Sequence, residues 1–193
     1  MTLFNLKELF RNKSFRFIFL FLTGIIVWFS FYHFIYEIDE FLSSSTYKVD
    51  IQKSISILLA KQSNFILSLF GYQPQIEIYS DMVVTVIQDG NFNHGVWIGE
   101  PCNGLKLFGV FSIFILAFPG SLKTKFWYIP LGIIILHFVN VLRIACLTLI
   151  SAYKPTILTF NHNVTFQVII YSFIFLLWYF WTKKFSSLSI NNE

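Results

Sequence analysis

Charge is scarce in this chain: 12% of its 193 residues are Asp, Glu, Lys or Arg, while 55% are hydrophobic and 25 are Phe. Soluble globular domains carry about 25% charged residues, so the composition excludes a soluble globule and describes a membrane protein. Cysteine is almost as scarce. Cys102 and Cys146 form no CxxC and no Cys/His spacing of the zinc type, which argues against a disulfide framework or a metal site and gives no reason to expect a cofactor. Internal repeats and low-complexity runs are missing too, so nothing suggests a transporter built from duplicated halves. The formal net charge of +4 would suit an anionic partner, but the Lys and Arg residues cluster beside apolar runs. Membrane topology explains that placement, and nucleic acid does not.

What the chain does contain is a series of apolar runs. Residues 15–36 hold about 20 mostly apolar positions, enough at 1.5 Å per residue to cross a hydrocarbon core of roughly 30 Å. Lys7, Arg11, Lys13 and Arg16 surround its start and Glu37, Asp39 and Glu40 follow its end, which places the N-terminus in the cytoplasm. The run is too long for a signal-peptide core and no small-x-small site follows it, so a retained signal anchor is expected. His33 and Glu37, four residues apart, are expected to form a structural pair on one helical face.

Residues 50–70 repeat apolar side chains at helical spacing, with Lys53, Ser56, Lys61 and Asn64 between them and Asp50 as the N-cap. Each lysine at a bilayer centre would cost about 2.5 to 3.5 kcal/mol. The segment is therefore expected to be an amphipathic helix, lying on the outer membrane face or packed against the bundle. Residues 75–98 are β-branched and partly alternating, with turn chemistry at Asp89-Gly90-Asn91, and predict a small strand-and-turn segment outside the bilayer. Further spans are expected at 102–118, about 126–150 and about 162–181. Lys123 and Lys125, in the loop 121–125, and Lys183-Lys184 all then fall in the cytoplasm, provided residues 50–70 do not cross. The fold expected is an all-α integral membrane helical bundle, about four transmembrane helices plus one amphipathic helix, with a small extracytoplasmic β-like segment. Residues 1–185 would form a single membrane-embedded domain and 186–193 a disordered cytoplasmic tail.

This topology brings Cys102, at the start of the second span, and His162, at the start of the fourth, to one membrane face. Arg143 lies about seven residues below the same end of the third span, sharing a helix face with Asn140 and His137. A cysteine at a helix N-terminus has its thiolate favoured by the dipole and free N–H groups. Such a trio suits acyl transfer: Cys102 attacks a peptide carbonyl, Arg143 stabilises thiolate or oxyanion, and His162 moves the proton. Each residue has a plainer reading. Cys102 could pack at a helix start, Arg143 could snorkel to lipid headgroups, His162 could simply begin a helix, and Asn140 could bond Arg143 or another helix. His137 reads as an interhelical hydrogen-bonding residue, His94 as a loop histidine, and Cys146 as a packing residue with a resting disulfide to Cys102 as the other option.

The stretch Glu100-Pro101-Cys102-Asn103-Gly104-Leu105, followed by Asn140-Val141-Leu142-Arg143 and then His162, resembles the exosortase/archaeosortase family. The family usually has Cys-Ser-Gly-Leu at the cysteine, and Asn103 replaces the serine here. The resemblance covers residues 96 to about 170, and the short chain with few spans is similar to a compact branch, the XrtF type of Bacteroidetes. It implies a sortase-like cysteine protease/transpeptidase of the bacterial inner membrane. Cys102, Arg143 and His162 would be catalytic, and Asn140, Gly104 and Glu100 supporting. The implied partner is a C-terminal tripartite sorting signal on secreted or surface proteins (short motif, transmembrane helix, basic cluster), met among membrane lipid. Two rival readings stand beside it: a non-catalytic assembly or export component whose polar residues bind partner helices, and a small transporter.

Overall fold

The structure, a computed structural model, describes residues 12–43, 51–79, 82–89, 92–99 and 102–185. Five helices carry most of them: α1 (Lys13–Ser43), α2 (Ile51–Leu69), α3 (Leu105–Ala117), α4 (Leu122–Tyr153) and α5 (Phe166–Lys184). Between α2 and α3 lie three short strands, β1 (Pro74–Ile78), β2 (Val83–Asp89) and β3 (Phe92–Trp97). Lys13–Phe34, Leu122–Tyr153 and Pro155–Lys184 are long and apolar enough to cross a membrane. The class expected from the sequence, an all-α membrane protein with a small β segment, is what the chain adopts.

Helix boundaries follow local chemistry. Asn12 caps α1, its Oδ1 accepting the Ser14 amide at 3.0 Å, and the helix runs through Glu37, Asp39 and Glu40 instead of ending before them. Asp50 and the Glu37 side chain, and with it the expected pair to His33, lie outside the described residues, as does the tail 186–193. α2 closes with Gly71 at φ +86° while the Tyr72 amide reaches back to the Leu67 carbonyl at 3.2 Å, the hydrogen bond that ends a helix on a left-handed glycine. Ser121 caps α4 by accepting the Thr124 amide at 3.2 Å. Because α4 starts at Leu122, Lys123 and Lys125 belong to its first turn and not to a loop. Lys125 is buried, and its ammonium donates to the Leu116 carbonyl at 2.7 Å, supplying a donor at the carbonyl end of α3. The run expected to span at 102–118 is helical over only 13 residues, about 20 Å at 1.5 Å per residue.

The chain divides into two compact units. The first comprises the chain up to Ile35, Leu105–Ile134 and the chain from Ile174. Its core is aromatic: Phe114 stacks on Trp178 with centroids 4.2 Å apart, Phe17 meets Phe118 edge-on at 5.0 Å, and Trp181 is fully buried beside Tyr128. Gly109 lies against the Trp28 indole so closely that a Cβ there would overlap the ring, the close backbone approach that small residues allow between membrane helices.

The second unit comprises Tyr36–Gly104 and Ile135–Phe173. Its sheet is antiparallel in the order β1-β2-β3, with Ile76 opposite Thr85 and Val86 opposite Gly95. β3 was not separately expected, and it turns His94 from a loop residue into a strand residue opposite Ile87. Leu59 and Ala60 of α2, Val83 of β2, Ile98, Cys102, and Val141 and Ile144 of α4 form one buried cluster, and Leu67, Ile87, Ala145 and Ala152 another. Of the two placements open to residues 50–70, packing against the bundle is therefore realised. Polar side chains complete it: Gln62 Oε1 lies 2.7 Å from His137 Nε2, and Ser151 donates to the Gly95 carbonyl at 3.0 Å.

Candidate active site

Cys102, Gly104, Asn140, Arg143 and His162 all belong to the second unit. β3 leads out of the sheet through Ile98, whose amide donates to the Val83 carbonyl at 2.8 Å, and the chain then tightens so that the Cys102 amide donates to the Gly99 carbonyl at 2.9 Å. Gly104, at φ +82°, makes the left-handed step into α3, a conformation glycine adopts at no steric cost. Cys102 is thus held in a turn ahead of α3 instead of at its first residue. It is 3% exposed.

That position corrects the expected electrostatics. Burial pushes the Cys102 thiol up from its ordinary value, while the Arg143 charge and a hydrogen bond with the Gly99 backbone act in the opposite direction without cancelling it. Burial thus favours the thiol over the thiolate.

Three side chains from later in the chain meet this turn. His162 Nε2 lies 3.3 Å from Cys102 Sγ, although the two residues are 60 apart in sequence. Asn140 Nδ2 donates to the Cys102 carbonyl at 2.7 Å, and its Oδ1 is buried without a hydrogen-bond partner. Arg143, one turn further along α4, is 5% exposed and has a buried Nε without a partner. An arginine so enclosed does not snorkel to headgroups. Since α4 ends at Tyr153, Arg143 lies ten residues from that end, about 15 Å at helical rise, deeper than the sequence implied.

His162 does not begin a helix. It lies within the stretch Pro155–Lys184, in a π-helical turn over Asn161–Thr165. The structure thus brings Cys102, Asn140, Arg143 and His162 together and places Gly104 in their connecting turn. Glu100 lies outside the described residues. His137 pairs with Gln62 instead. Cys146 is exposed, and both cysteines are free, so the resting disulfide is not formed.

Sequence reading missed Gln52, whose Oε1 accepts from Asn103 Nδ2 at 3.3 Å and ties α2 to the residue after the cysteine. The available signal was the run of polar residues at 52, 56 and 63 on the side of α2 that is turned inward. Among the described residues no group of three or more His, Cys, Asp or Glu side chains could hold a metal ion.

A buried thiol against an imidazole, with a guanidinium beside it, can lose its proton to the ring as it attacks a carbonyl. A family model describing transmembrane exosortases matches residues 6–180 of the chain. The match is to the family as a whole and selects no branch. No curated protein and no solved structure matches the chain.

Proposed function

Because the chain belongs to the transmembrane exosortase family, we propose that it is a membrane cysteine peptidase/transpeptidase that cleaves C-terminal sorting signals of exported proteins. The Cys102 sulfur attacks the peptide carbonyl as its proton passes to His162 Nε2. Arg143 faces the tetrahedral oxyanion. Collapse breaks the C–N bond, the imidazolium returns the proton to the leaving amine, and a thioester remains on Cys102. Water, or an amine from lipid or glycan, then releases the acyl group. Asn140 holds the nucleophile's own carbonyl, and Gly104 supports the turn. The observation that carries this reading is the 3.3 Å approach of Cys102 Sγ to His162 Nε2, made by two residues that no local contact brings together.

The substrate would be a tripartite signal whose helix sits in the bilayer and presents its juxtamembrane peptide to the site. The enzyme would lie in the bacterial inner membrane with both termini cytoplasmic and the sheet and Cys102 outside, and residues 1–185 would act as one domain. Coexpression with an exported protein that carries such a signal tests the activity. Cys102→Ser should abolish processing at unchanged protein level and membrane insertion.

One observation favours a second reading. Cys102 belongs to an apolar cluster with Leu59, Val83, Ile98, Val141 and Ile144, as a cysteine that only packs would in a non-catalytic assembly component. Unchanged processing by Cys102→Ser selects that reading.

A further inference from the structure

The helix that carries His162 changes gauge along its length. It opens as a tight 3-10 turn over Pro155–Ile157, relaxes to one α-turn over Leu158–Phe160, and widens to the π-turn Asn161–Thr165 before α5. The Phe166 amide donates to the Asn161 carbonyl, the wide bond that defines the π-turn, and Asn161 Nδ2 anchors the turn to the Ile157 carbonyl at 2.9 Å. Such turns lodge one extra residue and are frequent at functional sites. Within this turn two neighbouring side chains meet: His162 Nδ1 lies 2.9 Å from Asn163 Oδ1.

A neutral imidazole carries one proton on one nitrogen, and the partner of the other nitrogen decides which. An amide oxygen only accepts, so Nδ1 must hold the proton when it faces Oδ1. Nε2 then presents its lone pair to the sulfur 3.3 Å away, the arrangement in which S–H donates to the ring and the ring can take the proton. Were the amide reversed, its NH2 would donate to Nδ1, the ring proton would sit on Nε2, and the thiol would face an N–H with no base.

We infer that Asn163 is a positioning residue that fixes the tautomer and orientation of His162, so that Cys102, His162 and Asn163 form a thiol–imidazole–amide relay. The inference rests on reading Cys102 and His162 as nucleophile and base. Asn163 is itself exposed, so water competes for Nδ1.

The test uses the full-length chain in lipid nanodiscs at neutral pH, with Cys146→Ser leaving Cys102 as the one thiol. The infrared S–H stretch reports whether the thiol donates to the ring, and 15N shifts of labelled histidine report the ring tautomer. Neither needs the buried sulfur to be accessible to a reagent. The parent protein should show the His162 proton on Nδ1 and an S–H band displaced to low frequency. Asn163→Leu should move ring proton to Nε2 and return the band toward that of a free thiol, whereas Asn163→Asp, which keeps an acceptor oxygen, should preserve both signals. If Asn163→Leu changes neither signal, Asn163 has no positioning role, although the Cys102–His162 pair stands. If His162→Gln leaves the S–H band unmoved, there is no such pair, and the functional reading falls together with this one.

Discussion

At the scale of single residues, Arg143 is costly to place where it is. A buried donor left unpaired costs about 1 to 3 kcal/mol, and Arg143 Nε is such a donor beside the sulfur. A planar guanidinium can offer Nε to an oxygen at a fixed angle, whereas an ammonium is a compact point charge. Arg143→Lys should therefore lower processing of a coexpressed sorting-signal protein by about 100-fold, the usual cost of one lost oxyanion donor. Near-normal processing would remove Arg143 from the mechanism. Cys102 gives the pH dependence. Its pKa is raised by burial and restrained by Arg143, so its thiolate forms at higher pH than that of an ordinary cysteine. Alkylation of Cys102 in a Cys146→Ser background should be slow at neutral pH, quicken on the alkaline side, and shift to still higher pH in Arg143→Gln. An impermeant reagent should act from outside the cell; reaction only from the cytoplasm would reverse the proposed orientation. The residues of the trio could be singled out from the sequence because arginine is rare in an apolar run and the cysteine sits where a polar segment meets one. The partners of Gln52, Gln62 and Asn163 could not. The two glutamines find partners 51 and 75 residues away, and the Asn163 bond lies within a π-turn that no periodicity announces.

Among the elements, α2 shows why an amphipathic pattern alone leaves placement open. Leu58, Phe65 and Leu69 are exposed while Leu59, Ala60 and Leu67 are buried, so both faces carry apolar groups and hydropathy cannot choose between lipid and protein. The choice is made by polar side chains that need partners, Gln62 with His137 above all. Gln62→Leu or His137→Leu alone removes the hydrogen bond between them and should cost about 1 kcal/mol. The double replacement should cost less than the sum of the singles, as measured by thermal unfolding in detergent. Additive losses would mean the pair does not couple. In the first unit the Gly109 contact sets a similar condition. Gly109→Val forces the Trp28 ring from its seat and should lower thermal stability by about 1 to 3 kcal/mol, the common range for overpacking. Processing chemistry should stay intact in the molecules that remain folded.

For the whole molecule, the proposed orientation rests on the basic residues. Lys123 lies near the start of α4, and Lys183 and Lys184 end α5. In the proposed orientation both groups lie in the cytoplasm, the side the positive-inside rule favours for them. A reporter fused after residue 185 should be active in the cytoplasm, and a tag inserted at 90–91, between β2 and β3, should be reached from outside. The reverse result would relocate the site. The membrane class, the helical runs and the β segment were readable because length and hydropathy are summed over many residues. Helix ends were read less well, because single side chains set them: Ser121 moved the start of α4 back to Leu122, and Pro155 began the last helical stretch well before the apolar run suggested. Between Pro155 and Phe166 each turn differs in gauge from the one before, and this makes the segment a counter more than a text. Side chains there that bind nothing could be exchanged freely, but removing one residue would rotate everything downstream by about a quarter-turn and swing the imidazole off the sulfur. Variation in this segment should therefore run to changed letters and never to changed length.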